Sequence, residues 1–290
     1  MTRHAIRCAV FSTGNKKLED LRIVFVGKTG VGKSAAANTI LGAEEFDSEA
    51  SSSSVTAKCE KAKGKVDGRD VSVIDTPGLF DTELTNDRII EEITQCISMS
   101  SPGPHVFLVV IQIGRFTPEE QETVEIIQES FGAESAKYTM ALFTHGDKLK
   151  KKTIEEFLSK NPKLAEFIDQ CRGGYHVFNN EDTNPSQVLE LLKKIDKMVT
   201  INGGGYFTNE MYKMAENAIE GKKKKILEEQ AEVRRQEEEE HRRHLEGEAL
   251  LNALKELQEK MERQAREQAE RYNAFIKEVE VKPGKKCTIQ

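Results

Sequence analysis

One short segment combines the residue types that bind phosphate. Residues 27–34 read Gly-Lys-Thr-Gly-Val-Gly-Lys-Ser, the pattern of a loop whose backbone N–H groups turn toward a nucleotide phosphate. Lys33 would reach the β- and γ-phosphates, and the Ser34 hydroxyl would coordinate Mg²⁺. The sequence therefore predicts a site for a nucleoside triphosphate with Mg²⁺. The predicted contacts in this loop are Gly27, Thr29, Gly30, Val31, Gly32, Lys33, Ser34 and Ala35.

A second segment supplies a carboxylate. Asp75 ends the apolar run 71–74 and stands 42 residues after Lys33, followed by Thr-Pro-Gly. A carboxylate beside the phosphate loop is what a nucleotide-bound Mg²⁺ requires, and Gly78 can offer its N–H to a γ-phosphate. Alone, Asp-x-x-Gly is a common turn. The preceding loop makes it a predicted metal and switch motif.

A third segment concerns the choice of base. Residues 143–147 read Phe-Thr-His-Gly-Asp after an apolar strand pattern, and ligands bind at the carboxyl edge of such strands. Asp147 can accept two hydrogen bonds from guanine, and adenine offers no such donor pair. His145 would lie against the base, beside Thr144. An ordinary turn Asp is the alternative, and an ATP-dependent phosphotransferase is a further one that Asp147 disfavours.

The elements that must position these residues alternate along the chain. Strands separated by helices predict a mostly parallel sheet with helices on both faces, an α/β fold of the P-loop NTPase class. A second polar turn, Asn179-Asn180, follows the last predicted strand, where the other side of a base would be held. The predicted strands are 21–26, 57–67, 71–75, 105–111, 138–143 and 175–178, and the predicted helices are 33–41, 87–99, 118–131, 153–170 and 186–200.

Composition divides the chain into segments. We predict a flexible start at 1–20, the nucleotide domain at 21–203, a charged helical extension at 204–282 and a flexible tail at 283–290. The last 87 residues hold 37 charged side chains. An apolar stripe that begins at Leu250 covers only about two heptads, so packing on the domain and a coiled coil between chains both remain open.

Charge and cysteine content exclude some classes of protein. The net charge is −6, which disfavours nucleic-acid binding because that requires a surplus of cations. Five scattered cysteines predict neither a disulfide framework nor a zinc site. The longest apolar run is less than half of a bilayer span. These features predict a protein of the reducing cytoplasm.

The last four residues could change that location. Cys287-Thr-Ile-Gln290 fits the prenylation pattern, with Lys285 and Lys286 just before it. One lipid chain with two lysines would give a weak membrane contact. An incidental terminal cysteine is the alternative.

Five motifs together resemble the GTPase IMAP (GIMAP) family, the septin-like immune-associated GTPases, over roughly residues 21–201. They lie at 27–42, 75–81, 103–110, 114–117 and 143–147. The resemblance implies GTP and GDP as ligands with Mg²⁺, and Thr56 as the switch-loop threonine on the metal and γ-phosphate. It also implies Asn180 or Asn179 at the base. Dimerisation through the nucleotide face, with itself or a related GTPase, is implied as well.

Hydrolysis depends on residues beyond the loop. Leu79 follows the Asp-x-x-Gly segment, where Ras-type GTPases have a Gln that orients water, so we expect slow intrinsic turnover. The resemblance points to Arg115 as an arginine finger supplied across the dimer. A surface Arg at a helix entry is the alternative for Arg115, and a GTP-loaded scaffold that does not hydrolyse is the alternative for the whole protein.

Overall fold

A computed structural model describes residues 20–47, 58–78, 86–114 and 116–271. Within these ranges the strands are β1 Asp20–Val26, β2 Glu60–Val66, β3 Arg69–Asp75, β4 Val106–Gln112, β5 Thr139–Thr144 and β6 Tyr175–Val177. They form a six-stranded sheet with the order β2-β3-β1-β4-β5-β6. Its neighbouring strands are parallel except for β2, which pairs antiparallel with β3. The predicted mostly parallel sheet is confirmed.

Helices cover both faces of this sheet. Side chains of β1 alternate between two cores: Val24 joins one and Ile23 joins the other. The helices are α1 Lys33–Leu41, α2 Asn86–Ser100, α3 Pro118–Phe131, α4 Ile154–Leu158, α5 Pro162–Gln170, α6 Ser186–Ile201, α7 Glu210–Glu229, α8 Ala231–His244 and α9 Gly247–Arg271. Helices α2, α3 and α5 pack on the first face, and α1 and α6 pack on the second.

The single helix predicted over 153–170 was wrong, because the structure has two helices there. Helix α4 ends at Leu158, and α5 begins at Pro162. Proline has no N–H for a helix interior but suits a first helical position. The Asn161 side chain accepts a hydrogen bond from the Leu164 N–H and caps α5.

Packing against the sheet continues beyond residue 203, where the sequence placed the end of the nucleotide domain. Phe207 and Tyr212 are buried in the same core as the strands. The Tyr212 hydroxyl lies 3.0 Å from the Ser100 hydroxyl of α2. The beginning of the charged extension is therefore part of the sheet's own core, since aromatic side chains continue the apolar cluster past the three glycines.

Helix α9 folds back on the same chain. Its Ala265 and Ala269 pack with Ile219 and Ile226 of α7. Arg266 binds Glu216 of α7 through two contacts of 2.7 Å. Of the two arrangements left open by the apolar stripe, the described residues take the one in which the helix packs on its own domain.

Candidate functional site

The phosphate loop connects β1 to α1 at the carboxyl edge of the sheet. Gly30 and Gly32 have φ angles of 79° and 90°, in the left-handed region that glycine occupies without strain. A Cβ at Gly27 would lie 2.7 Å from the Val110 carbonyl oxygen. The loop can therefore approach β4 closely only because glycine stands at that position.

Lys33 lies inside this loop. The side chain is buried, and its Nζ donates hydrogen bonds to the carbonyl oxygens of Gly27 at 3.0 Å and Lys28 at 2.8 Å. These bonds hold the ammonium group at the centre of the turn, where a positive charge is placed to meet phosphate oxygens.

Ser34 and Asp75 meet beside the loop. The Ser34 hydroxyl donates to Oδ2 of Asp75 at 2.6 Å, and Asp75 is fully buried. Thr76 donates to the Phe25 carbonyl oxygen at 2.6 Å and fixes the end of β3 against β1. A hydroxyl and a carboxylate at this spacing are the oxygen donors that Mg²⁺ prefers, so the residues present fit that ion.

The third predicted motif follows β5. Thr144 donates to the Val31 carbonyl oxygen at 2.7 Å, which ties the end of β5 to the phosphate loop. His145 has a positive φ of 57° and precedes a 3₁₀ turn over Gly146–Leu149. Asp147 lies exposed in the first turn of that segment. The structure therefore places these residues at the same sheet edge as the loop.

Asn180 lies against the phosphate loop and α1. Its Oδ1 accepts a hydrogen bond from the Thr39 hydroxyl at 3.2 Å. A Cβ built at Gly32 would lie 3.5 Å from Asn180 Nδ2 and 3.5 Å from Thr144 Cγ2. Three of the predicted segments therefore meet around Gly32, whereas Asn179 contributes backbone groups that α6 holds.

Sequence reasoning missed Gln187, which organises the loop that carries Asn180. From the first turn of α6, its Oε1 accepts from the Asn179 N–H at 3.0 Å. Its Nε2 donates to the carbonyl oxygens of Asn179 at 3.0 Å and Asp182 at 2.8 Å. The Gln187 carbonyl oxygen lies 2.8 Å from Nε2 of His176 in β6. Only the folded arrangement shows this role, since a Gln in a helix has no distinctive spacing.

Burial keeps His176 neutral. Desolvation first, and then the nearby Lys194 charge, lower the pKa of His176 to about 4. At neutral pH the imidazole therefore carries one N–H, which suits donation from Nε2 to the Gln187 carbonyl oxygen.

The structure describes only some of the remaining residues that the sequence analysis singled out. Gly78 is buried at the end of the described segment 58–78. Thr56, Leu79 and Arg115 lie outside the described residues, as does Cys287. Gly114 and Phe116 are described on either side of Arg115, and Phe116 packs edge-on against Phe167 of α5. Thr117 and Glu120 form a capping box at the start of α3.

Fold and site together define a P-loop NTPase domain. The model of the AIG1 family matches residues 21–226, so the chain belongs to the AIG1 family. The match extends past residue 203, in agreement with the buried aromatic residues at the start of the extension.

Curated relatives share this region. The chain is 38% identical over 197 residues to GTPase IMAP family member 8 of Homo sapiens, covering 67% of this chain and 30% of that protein. It is 38% identical over 208 residues to immune-associated nucleotide-binding protein 9 of Arabidopsis thaliana, covering 68% of this chain and 61% of that protein. The matched region is thus less than two thirds of either relative.

Solved structures share the fold. Toc33 of Arabidopsis thaliana in complex with GDP and Mg²⁺ superposes with a TM-score of 0.52 at 21% identity, covering 67% of this chain and 90% of that chain. A Toc33 variant described as dimerisation-deficient gives a TM-score of 0.53 at 20% identity, with the same coverage.

Among the residues that the structure describes, no helix combines the length and apolar character needed to cross a membrane.

Proposed function

We propose that this protein binds GTP and GDP with Mg²⁺ at the edge formed by the phosphate loop, β3 and β5. The observation that carries the proposal is the convergence of Lys33, the Ser34–Asp75 pair and Asn180 around one glycine-rich loop. Asp147, on the turn after β5, selects guanine by accepting hydrogen bonds from its two donors. The family name of the human relative and the GDP and Mg²⁺ bound to Toc33 support this assignment.

Mg²⁺ would be held by Ser34 and Asp75, with Thr56 as a further ligand once the triphosphate is bound. The ion would neutralise phosphate charge at this site. Lys33 adds a cation on the other side of the phosphates, and the backbone N–H groups of residues 29–35 supply hydrogen-bond donors. The Gly78 N–H donates a hydrogen bond to the γ-phosphate, so this segment is ordered only while that phosphate is present.

The GTP-loaded protein dimerises through its nucleotide face, with itself or with a related GTPase, and hydrolyses GTP slowly. Leu79 can neither donate nor accept a hydrogen bond, so it cannot orient the attacking water. Arg115 of the second copy supplies a guanidinium that neutralises charge developing on the γ-phosphoryl oxygens. Such a group contributes about 10³–10⁵ in rate. The solved structure of a Toc33 protein, described as showing that dimerisation is important for the GTPase activity of Toc33 and Toc159, supports the dependence of hydrolysis on a dimer.

Single-turnover GTP hydrolysis over a range of protein concentrations tests the mechanism. The rate constant is expected to rise with protein concentration, because two copies must meet to complete the site. Arg115→Ala should abolish the rise while leaving GTP affinity unchanged. Arg172→Ala serves as a control that removes a guanidinium at an exposed position.

A rate constant near zero at every concentration, with GTP still bound, would favour the rival proposal of a non-hydrolysing GTP-dependent scaffold. Leu79 is the sequence observation that supports this rival. In such a scaffold, the bound nucleotide controls only whether the protein assembles. Size-exclusion chromatography would then show a dimer with GTP and a monomer with GDP despite absent turnover.

We also propose membrane contact through prenylation of Cys287 in the Cys-Thr-Ile-Gln motif, whose Gln favours farnesyl. Lys285 and Lys286 add attraction to anionic lipids. Mass spectrometry of the C-terminal peptide from native cells tests the proposal. A peptide that carries only an unmodified thiol would contradict it.

A further inference from the structure

Two cysteines from distant parts of the sequence meet in the core. Cys59 directly precedes β2, and Cys96 lies in α2. They are 3% and 1% exposed and belong to the same apolar cluster. Cys59 hydrogen-bonds to Glu92, which lies one helical turn before Cys96, so the two thiols are neighbours in this cluster.

Contacts other than the sulfur atoms hold this pair together. The Cys59 N–H donates to Oε2 of Glu92 at 2.9 Å, and its thiol donates to the Glu92 carbonyl oxygen at 3.4 Å. Glu92 lies one helical turn before Cys96, so the Cys59 thiol is placed on the turn that carries Cys96. Arg88 binds Oε1 of Glu92 at 2.6 Å and fixes that carboxylate. A sulfur–sulfur bond of ~2.05 Å between these neighbouring thiols would therefore require only local movement of their side chains.

A cavity gives small molecules a route to Cys59. Its volume is about 600 Å³, and Cys59 lines it together with Gln95 and Met99 from α2. Lys61 and Glu270 also line this space. It has room for a molecule the size of hydrogen peroxide at the Cys59 side of the pair.

We propose that Cys59 and Cys96 form a redox-active pair that closes to a disulfide on reaction with a small peroxide. The Cys59 thiolate attacks one peroxide oxygen, the O–O bond breaks, and a sulfenic acid forms. The hydroxide that leaves takes up the proton lost by the Cys59 thiol and becomes water. The Cys96 thiolate then attacks that sulfur, the S–S bond forms and the S–O bond breaks. The hydroxide that leaves takes up the proton lost by the Cys96 thiol and becomes a second water. The two thiols lose two electrons and two protons, and one peroxide is reduced to two water molecules.

The reaction is slow at neutral pH. The hydrogen bond from Cys96 and burial raise the pKa of the Cys59 thiol, so the reactive thiolate is a minor species. Cys171 provides a matched comparison because it is also fully buried and also has a pKa raised by burial. It lies at the end of α5, away from the cavity that Cys59 lines.

Peptide mapping of the native, full-length protein tests the proposal directly. Trypsin cleavage at Lys and Arg places each of the five cysteines in a separate peptide, with Cys59 in the tripeptide 59–61 and Cys96 in 89–115. After exposure to hydrogen peroxide, quenching and non-reducing digestion, we expect these two peptides to be joined. The free-thiol count should fall by two, and the joined mass should lack two hydrogen atoms.

Variants provide the controls. The joined peptide should persist in Cys171→Ser and be absent in Cys59→Ala and in Cys96→Ala. The proposal is overturned if both thiols stay reduced while added glutathione is fully oxidised, or if Cys59 is oxidised to the sulfinic acid without joining Cys96. A joined peptide that contains Cys171 in place of either partner would also overturn it.

Discussion

At the scale of single residues, one ammonium group determines whether the phosphate loop can hold a nucleotide. Lys33 Nζ is held by two loop carbonyl oxygens, so its charge is already positioned for phosphate. Lys33→Ala should weaken GTP and GDP binding by about 100-fold or more, since charge-assisted hydrogen bonds contribute about 1.5–3 kcal/mol each.

Lys28→Ala is the matched control for that substitution. It removes a positive charge from the same loop but keeps the backbone carbonyl that receives Lys33. Fluorescent-GDP titration compares the two variants. Equal losses of affinity would contradict the role given to Lys33, as would unchanged affinity in Lys33→Ala.

Gln187 is expected to set the affinity for the base through the loop it supports. In Gln187→Glu, a carboxylate would face the carbonyl oxygens of Asn179 and Asp182 that now receive hydrogen bonds. Losing these two hydrogen bonds costs about 0.5–1.5 kcal/mol each, so the dissociation rate of fluorescent GDP should rise by about 10-fold.

Gln268→Glu makes the same charge change at an exposed position of α9 and should leave that rate unchanged. A Gln187→Glu protein that is equally folded and releases GDP at the original rate would show that the Asn179–Asp182 loop does not govern nucleotide retention.

At the scale of elements, the helices predicted best from the sequence are those with recognisable capping or glycine residues at their ends. Helix α1 begins after Gly32 and ends at Gly42, and α3 begins at the Thr117 capping box. Predicted strands agreed to within a few residues because apolar runs define them. The Asn161-Pro162 pair is a signal for a break between two helices. The apolar pattern on both sides of this pair instead favoured one continuous helix.

The candidate site was predictable where one segment carries the whole signal. The phosphate loop and Asp75 belong to this group. The contacts of Asn180 with Thr39 and of Gln187 with the Asn179–Asp182 loop depend on β6 lying beside β5. No local sequence pattern predicts that β6 lies beside β5.

Helix α7 should behave as part of the sheet's core. Tyr212 is fully buried there, whereas Met214 on the same helix is 43% exposed. Tyr212→Ala should lower the free energy of unfolding by about 3–5 kcal/mol, the range for large aromatic truncations. Met214→Ala should change it by less than about 0.5 kcal/mol, as is usual for surface positions. Urea unfolding measures both, and similar small effects would mean that α7 does not share the core.

At the scale of the whole molecule, α9 is joined to the sheet edge by ion pairs of unequal burial. Glu270 binds Lys61 at 2.5 Å with both side chains largely buried, and Glu267 binds Lys63 at 2.9 Å with both about 40% exposed. Arg266 joins Glu270 to Glu216 of α7. Helix α9 therefore connects β2 with α7.

The two carboxylates form a matched pair of substitutions. Glu270→Gln should destabilise the protein by about 1–3 kcal/mol, because it leaves the largely buried Lys61 without its partner charge. Glu267→Gln should cost about 0.2–1 kcal/mol, as exposed pairs do. Chemical unfolding of both proteins compares them. A larger effect for Glu267→Gln would contradict the burial of the Glu270 pair.

Two buried histidines should make the fold sensitive to mild acid. Burial first, and then the Arg22 charge, lower the pKa of His105 to about 3, and the pKa of His176 is about 4. The unfolded chain takes up these protons near pH 6.5, so it binds more protons than the folded chain below that pH. Stability should therefore be full above about pH 7 and fall steadily as the pH decreases from 6.5 toward 4.

Urea unfolding at several pH values measures this slope. His176→Gln should reduce the slope, whereas His244→Gln at an exposed position should not. A slope that is the same in all three proteins would show that His176 is not held neutral by the fold.

Calorimetric titration of the purified protein with GTP, GDP and ATP, each in the presence of Mg²⁺, tests the central claim most directly. The account predicts saturable binding of both guanine nucleotides, weaker binding when Mg²⁺ is chelated, and no competition from ATP. A protein that binds neither GTP nor GDP, or that binds ATP as tightly as GTP, would contradict the account.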